Sequence, residues 1–237
     1  MFPVPSSPAS SRTSSLDHDL VLVSSDNVVH VVDPEKIAEA SPIFKSKLES
    51  VPEITDLRLI FSDRTIETSK VLGLFIDLIY GKELQVTESS NNNNTSGWHD
   101  AQGYIALVTF LKKYQATTAL RDLRVSMFSW LEMRAMVGER LLIMAMALED
   151  YPLCAEIVGE SWSSPHPRYL LGRYDRRVPS EPTISPDSIP FFIYKAMPYK
   201  ARFALVRACQ KTQGISRNKN AWWAVSEEFE RIMKDLM

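Results

Sequence analysis

Glycine, cysteine and histidine are scarce in this sequence. Its 237 residues hold eight glycines, two cysteines and four histidines. No GxGxxG run occurs. Around Gly81-Lys82 the position that a phosphate-cradling loop needs as glycine is Ile76, and Glu83 stands where Ser or Thr belongs. Gly159-Glu160-Ser161-Trp162-Ser163 lacks the final glycine of a nucleophile elbow. His18, His30, His99 and His166 have no partners at metal-ligand spacing, so no zinc site and no cofactor are expected. Cys154 and Cys209 belong to no CxxC pair. Thiols in a reducing compartment are the expectation, with a disulfide between them as the open alternative.

Long apolar runs are missing too. No stretch of about 18 apolar residues exists to span a membrane. The opening MFPVPSSPASSRTSS has neither an apolar core nor a basic cluster, so a secretory signal is not expected and the cytoplasm or nucleus is. In that setting the sequons at Asn93 and Asn94 carry little meaning. With 45% hydrophobic and 24% charged residues, the chain reads as an ordinary globular protein. A net charge of −2 points to no polyionic partner for the chain as a whole.

What is present is a change of pattern along the chain. Residues 1–15 are rich in Ser and Pro and predict a disordered tail. Residues 19–25, DLVLVSS, and Val28–Val32 predict a hairpin about a turn at Asp26-Asn27. Pro34 suits the first turn of a short helix over 34–40. Ser41-Pro42 caps a second over 41–49. Residues 56–61, DLRLIF, alternate as a third strand. Residues 65–80 predict an apolar helix with Val71, Phe75, Leu78 and Ile79 on one face, stopped at Gly81. KELQV, from Lys82, suggests a short edge strand, and 89–97 a surface loop. Helical stripes follow: Tyr104, Val108, Leu111 and Tyr114, then Ala116, Leu120, Leu123, Met127 and Leu131. Residues 141–148 are apolar on all sides and predict a buried central helix. Cys154, Ile157 and Val158 line another. Residues 163–190 predict a long loop. Helices near 190–211 and 221–236 close the pattern, the last striped by Trp222, Val225, Phe229, Ile232 and Leu236. Strands early and helices late imply an α+β class.

One charge feature stands out. No acidic residue lies between Asp187 and Glu227, whereas Lys195, Lys200, Arg202, Arg207, Lys211, Arg217 and Lys219 are basic, with Trp222 and Trp223 following. Such a segment can track a nucleic-acid backbone, with Lys200, Arg202, Arg207 and Lys211 as contacts. Tyr199, Phe203 and Val206 read as the core stripe of that helix, which makes nucleic acid the secondary expectation. Glu227-Glu228 reads as solvated surface rather than an acid–base pair.

The first part of the chain resembles a BTB/POZ domain. The resemblance rests on Asp19–Val23, Ser25-Asp26 and Val31-Val32, then on Ile37–Phe44 with its small-Ser-Pro-apolar-Phe run. It continues in Leu57–Ile60, in Leu74–Gly81 ending Tyr-Gly, and in Leu111-Lys112-Lys113-Tyr114. It covers about 17–132, so a BTB/POZ-like domain is expected over 16–132 and a helical extension over 133–237. The extension is similar in layout to those of short fungal BTB proteins, and neither kelch repeats nor zinc fingers follow. His30 replaces the family's usual aromatic, Asp33-Pro34 its frequent His-Lys, and the Asn run is extra. The resemblance implies a non-enzymatic interaction module that self-associates or serves as an adaptor, cullin-type ubiquitin ligases included. It implies a partner surface on the early helical pair, at Ile43, Phe44, Lys45 and Leu48, with core packing as the alternative for Phe44. The Ser/Pro-rich stretch before Asp19 is a poor candidate for the exchanged strand of many BTB dimers.

Overall fold

A computed structural model describes residues 19–50, 57–84, 96–133, 135–160, 184, 186, 189, 191–212 and 219–237. The expected tail (1–15), the Asn-rich loop up to residue 95, the end of KELQV and most of the 163–190 loop lie outside them. Among the described residues the architecture is α+β, with one three-stranded sheet and ten helices.

Strands β1 (Leu20–Val23) and β2 (Val29–Val32) form the antiparallel hairpin, with Leu20 opposite Val32 and Val23 opposite Val29. Its turn is closed by Ser24, whose hydroxyl donates to the Val28 carbonyl and accepts from the Val28 N–H. Asn27 takes the left-handed conformation that Asn tolerates, at φ 62°. Strand β3 (Arg58–Ile60) lies parallel to β1 on its other side, giving the order β2-β1-β3. Between β2 and β3 run α1 (Pro34–Ala40) and α2 (Pro42–Glu49). Asp33 caps α1 at the Glu35 N–H and Ser41 caps α2 at the Phe44 N–H, with proline at the first helical position of each. Each cap contributes about 1 kcal/mol.

Helix α3 (Ser69–Ile79) starts at the Thr68 cap, four residues later than the pattern suggested, because residues 64–66 form a turn. It stops where Gly81 turns left-handed, at φ 65°. Helices α4 (Ser96–Lys113) and α5 (Thr117–Glu132) follow. Tyr104, Val108 and Leu111 are buried on the first, Tyr114 just past its end, and Leu123 and Met127 on the second. Helix α6 (Gly138–Leu148) is the buried central helix, with every side chain from Leu141 to Met146 inside. Helix α7 (Tyr151–Glu160) buries Cys154, Ile157 and Val158. The helix expected near 190–211 is two helices, α8 (Phe191–Ala196) and α9 (Tyr199–Lys211), because Pro198 interrupts it. Helix α10 (Lys219–Asp235) buries Trp222, Val225, Phe229 and also Met233, a position the expected stripe omitted.

One buried apolar cluster runs from Leu20 to Met233. Helix α6 packs against α4, α5 and α7, and α10 against α7 and α9. The boundary expected at 132/133 thus coincides with the end of α5, but the core continues across it. Five rings anchor the first half. Phe44 stacks on Tyr114 with centroids 4.4 Å apart, and Phe61, Phe75 and Phe110 surround the pair.

Candidate interaction surfaces

The structure separates the four residues expected on the α2 surface. Phe44 is 1% exposed and sits in the ring cluster, so it is core and takes no part in a surface. The capping geometry explains this: Ser41 fixes the helix start, and its hydroxyl also donates to the Tyr114 carbonyl, which aims Phe44 at the Tyr114 ring. Ile43 and Leu48 are half-buried and pack against the core, while Lys45 is exposed. The outer side of α2 is therefore polar, formed by Lys45, Ser46, Lys47 and Glu49.

The larger apolar surface is on the sheet. Leu20 and Leu22 face the core, so Val21 and Val23 face outward, and the register sets Val31, Val29, Arg58 and Ile60 beside them. Val29, Val31 and Ile60 are 57%, 60% and 74% exposed. The strand edge is open as well. The bond from the Ser24 N–H to the Val28 carbonyl makes Leu22/His30 and Leu20/Val32 the hydrogen-bonded pairs. The main-chain groups of Val29 and Val31 consequently point away from β1, and among the described residues no strand pairs with them. β2 carries no charge or proline to blunt this edge. The signal was visible in the sequence. A strand wet on one side alternates apolar and polar residues; Val28–Val32 does not, and the alternation of residues 56–61 breaks at Ile60.

Buried polar chemistry is concentrated at Glu67, which is 2% exposed. One carboxylate oxygen accepts from the Ser62 and Asp63 N–H groups at 2.8 and 2.7 Å. The other accepts from Lys113 Nζ at 2.6 Å and the Tyr114 hydroxyl at 2.7 Å. Burial alone pushes the carboxyl up, but the bonds from Lys113, Tyr114 and the backbone outweigh it and hold it below the usual glutamate range. Such a saturated carboxylate is a poor base. It ties the β3–α3 turn to the end of α4. Asp26 makes a second tie, accepting from the Ser69 N–H at 2.7 Å, and its hydrogen bonds with Ser24 and Ser69 lower it to about 2. Burial pushes the Cys154 thiol well above its usual range, which keeps it unreactive, and Cys154 and Cys209 form no disulfide.

A shallow groove between α1, α3 and α5 is floored by Ala40, Leu78 and Ala119 and rimmed by Lys36, Glu39 and Asp122. Its volume of about 120 Å³ is below the roughly 300 Å³ where small-molecule sites begin. Among the described residues no three His, Cys, Asp or Glu side chains gather as a metal site, and no helix is long and apolar enough to cross a membrane.

The four cations expected to contact nucleic acid lie on α9 but differ in their surroundings. Lys200 Nζ donates to the Leu236 carbonyl at 2.6 Å, and Lys211 pairs with Glu228 at 2.9 Å. The Arg202 guanidinium lies over the Tyr194 ring, 5.6 Å from its centroid. Arg207 is exposed and has no ion pair among the described residues. The expected core stripe is inverted: α9 buries Ala201, Ala204, Leu205 and Ala208, while Tyr199 and Phe203 are 74% and 41% exposed. Small residues form the buried side because α10 packs closely against it. In the sequence the aromatic stripe has the stronger claim to the core, because alanine is near neutral in hydropathy. Glu227 is exposed, and Glu228 is half-buried between Arg231 and Lys211.

Compared with family models, curated proteins and solved structures, the chain matches none.

Proposed function

We propose that the chain is a non-catalytic protein-interaction module, built on a BTB/POZ-like domain over 16–132 and extended by helices over 133–237. The observation that carries this reading is the order of elements: hairpin, helical pair, parallel third strand, apolar helix, then two long helices. The residues behind the resemblance take positions that suit that layout. Ser41-Pro42 starts α2, Phe44 enters the core, Gly81 stops α3, and Lys113-Tyr114 closes α4 onto Glu67. An association role is further supported by exposed Val29, Val31 and Ile60 beside an open strand edge. The partner is a second copy of the chain or a cullin-type scaffold.

The test is light scattering behind size exclusion on the full chain at low and high salt, repeated with a cullin N-terminal domain added. A dimer stable at both salts indicates an apolar interface of roughly 1,600 Å² or more. A cullin complex supports the adaptor role. A monomer that ignores the cullin fragment overturns both forms of the proposal. Lys45→Glu, on the outer side of α2, leaves the fold intact and weakens whichever association is seen; unchanged association removes α2 from the interface.

A further inference from the structure

Helix α9 is apolar on two opposite sides. At 3.6 residues per turn, Ala201, Ala204, Leu205 and Ala208 share the inward side, and Tyr199, Phe203 and Val206 share the outward one. Burial agrees, with the alanines and Leu205 inside and the two rings in solvent. A surface helix ordinarily carries polar residues opposite its core stripe. Here that position holds two aromatics one turn apart, flanked by Arg202 on one border and by Lys200 and Arg207 on the other. No acidic residue occurs between Asp187 and Glu227 to neutralise them from the same segment. Exposed Tyr with adjoining Arg is the composition of interface hot spots.

We infer that this outward face of α9 docks an acidic amphipathic segment of a partner protein. Apolar residues of the incoming segment cover Tyr199, Phe203 and Val206, and a carboxylate beside them meets Arg207. The charge supply decides against nucleic acid. A phosphate backbone is held by many cations at once. On this helix Lys211 is committed to Glu228, Lys200 to the Leu236 carbonyl and Arg202 to the Tyr194 ring. That leaves Arg207 as the one α9 cation without a partner among the described residues. Such a surface can match a carboxylate at Arg207; it cannot match a run of phosphates. The inference concerns the helical region and stands independently of the BTB/POZ-like reading.

The test is selection of a random peptide display library on the full chain, followed by binding of the enriched peptides to wild type, Tyr199→Ser/Phe203→Ser and Arg207→Glu. All three residues are exposed, so the variants keep the wild-type melting temperature. Expected are peptides with apolar residues three and four apart, bordered by Asp and Glu. Their affinity falls at least roughly tenfold in both variants and weakens with salt. The inference is overturned by three results: no enrichment, an enriched consensus without acidic residues, or peptides that bind the Tyr199/Phe203 variant as well as wild type. Single-stranded DNA that binds wild type tightly, and loses binding in the same variants, overturns it in favour of a nucleic-acid face.

Discussion

Two buried glutamates respond to pH in opposite directions. The folded pKa of Glu67 is lowered, so its stabilisation is present above the unfolded value, near 4.5, and fades as pH falls below it. Glu67→Gln leaves Tyr114 without its anion and Lys113 with Asp63 alone, at 3.8 Å. It should cost about 1.5–3 kcal/mol at neutral pH, and the loss should shrink in acid. Denaturant titrations at pH 7 and pH 4 check both parts. Glu139, on the first turn of α6, is buried, and its Oε2 has no hydrogen-bond partner among the described residues. Burial raises its pKa. Its charge therefore penalises folding increasingly as pH rises above the unfolded value. Glu139→Gln should stabilise the protein by about 1–2 kcal/mol at neutral pH and gain nothing near pH 4, in the same titrations.

At the scale of elements, the contact between α7 and α10 depends on one glycine. A Cβ at Gly159 would come within 2.7 Å of the Trp223 ring. Gly159→Ala should cost about 1–3 kcal/mol through overpacking, and Trp223→Leu should recover most of it. Thermal melts of the two single variants and the double variant measure the coupling. The sheet makes a different prediction. Ile60→Lys on its outer face should shift stability by no more than about 0.5 kcal/mol, while lowering self-association seen by light scattering.

The helices of the first half were readable because capping residues and apolar period agree. Ser41-Pro42, Asp33-Pro34 and Gly81 each mark a boundary by a local mechanism. On α9 those signals conflict, since alanine is neutral in hydropathy patterns and becomes core only when another helix approaches closely. The open sheet face was legible as broken alternation. The Glu67 network was not, because it joins Ser62 and Asp63 to Lys113 and Tyr114, some 46 and 47 residues from the glutamate. No sequence pattern spans that distance.

At the scale of the whole molecule, the shared core couples the two regions. Trp130 on α5, the buried side chains of α6 and Leu107 on α4 belong to one cluster. A chain cut after residue 132 exposes the surfaces of α4 and α5 that α6 covers, so it should aggregate or melt well below the full chain. The full chain should melt in a single transition by calorimetry. Two separable transitions would instead indicate independent domains.

The pairing of α7 with α10 also sets a clock during synthesis. Ser226 donates to the Ala155 carbonyl across 71 residues of chain. At about 5–20 residues per second, a ribosome needs roughly 4–14 seconds to cover that distance. For that interval the nascent α7, with Leu153, Ile157 and Val158, has not met Trp222, Val225 and Phe229. Its apolar side then lacks the cover of α10, so slowing translation between residues 160 and 219 should lower the folded yield measured in a pulse-chase.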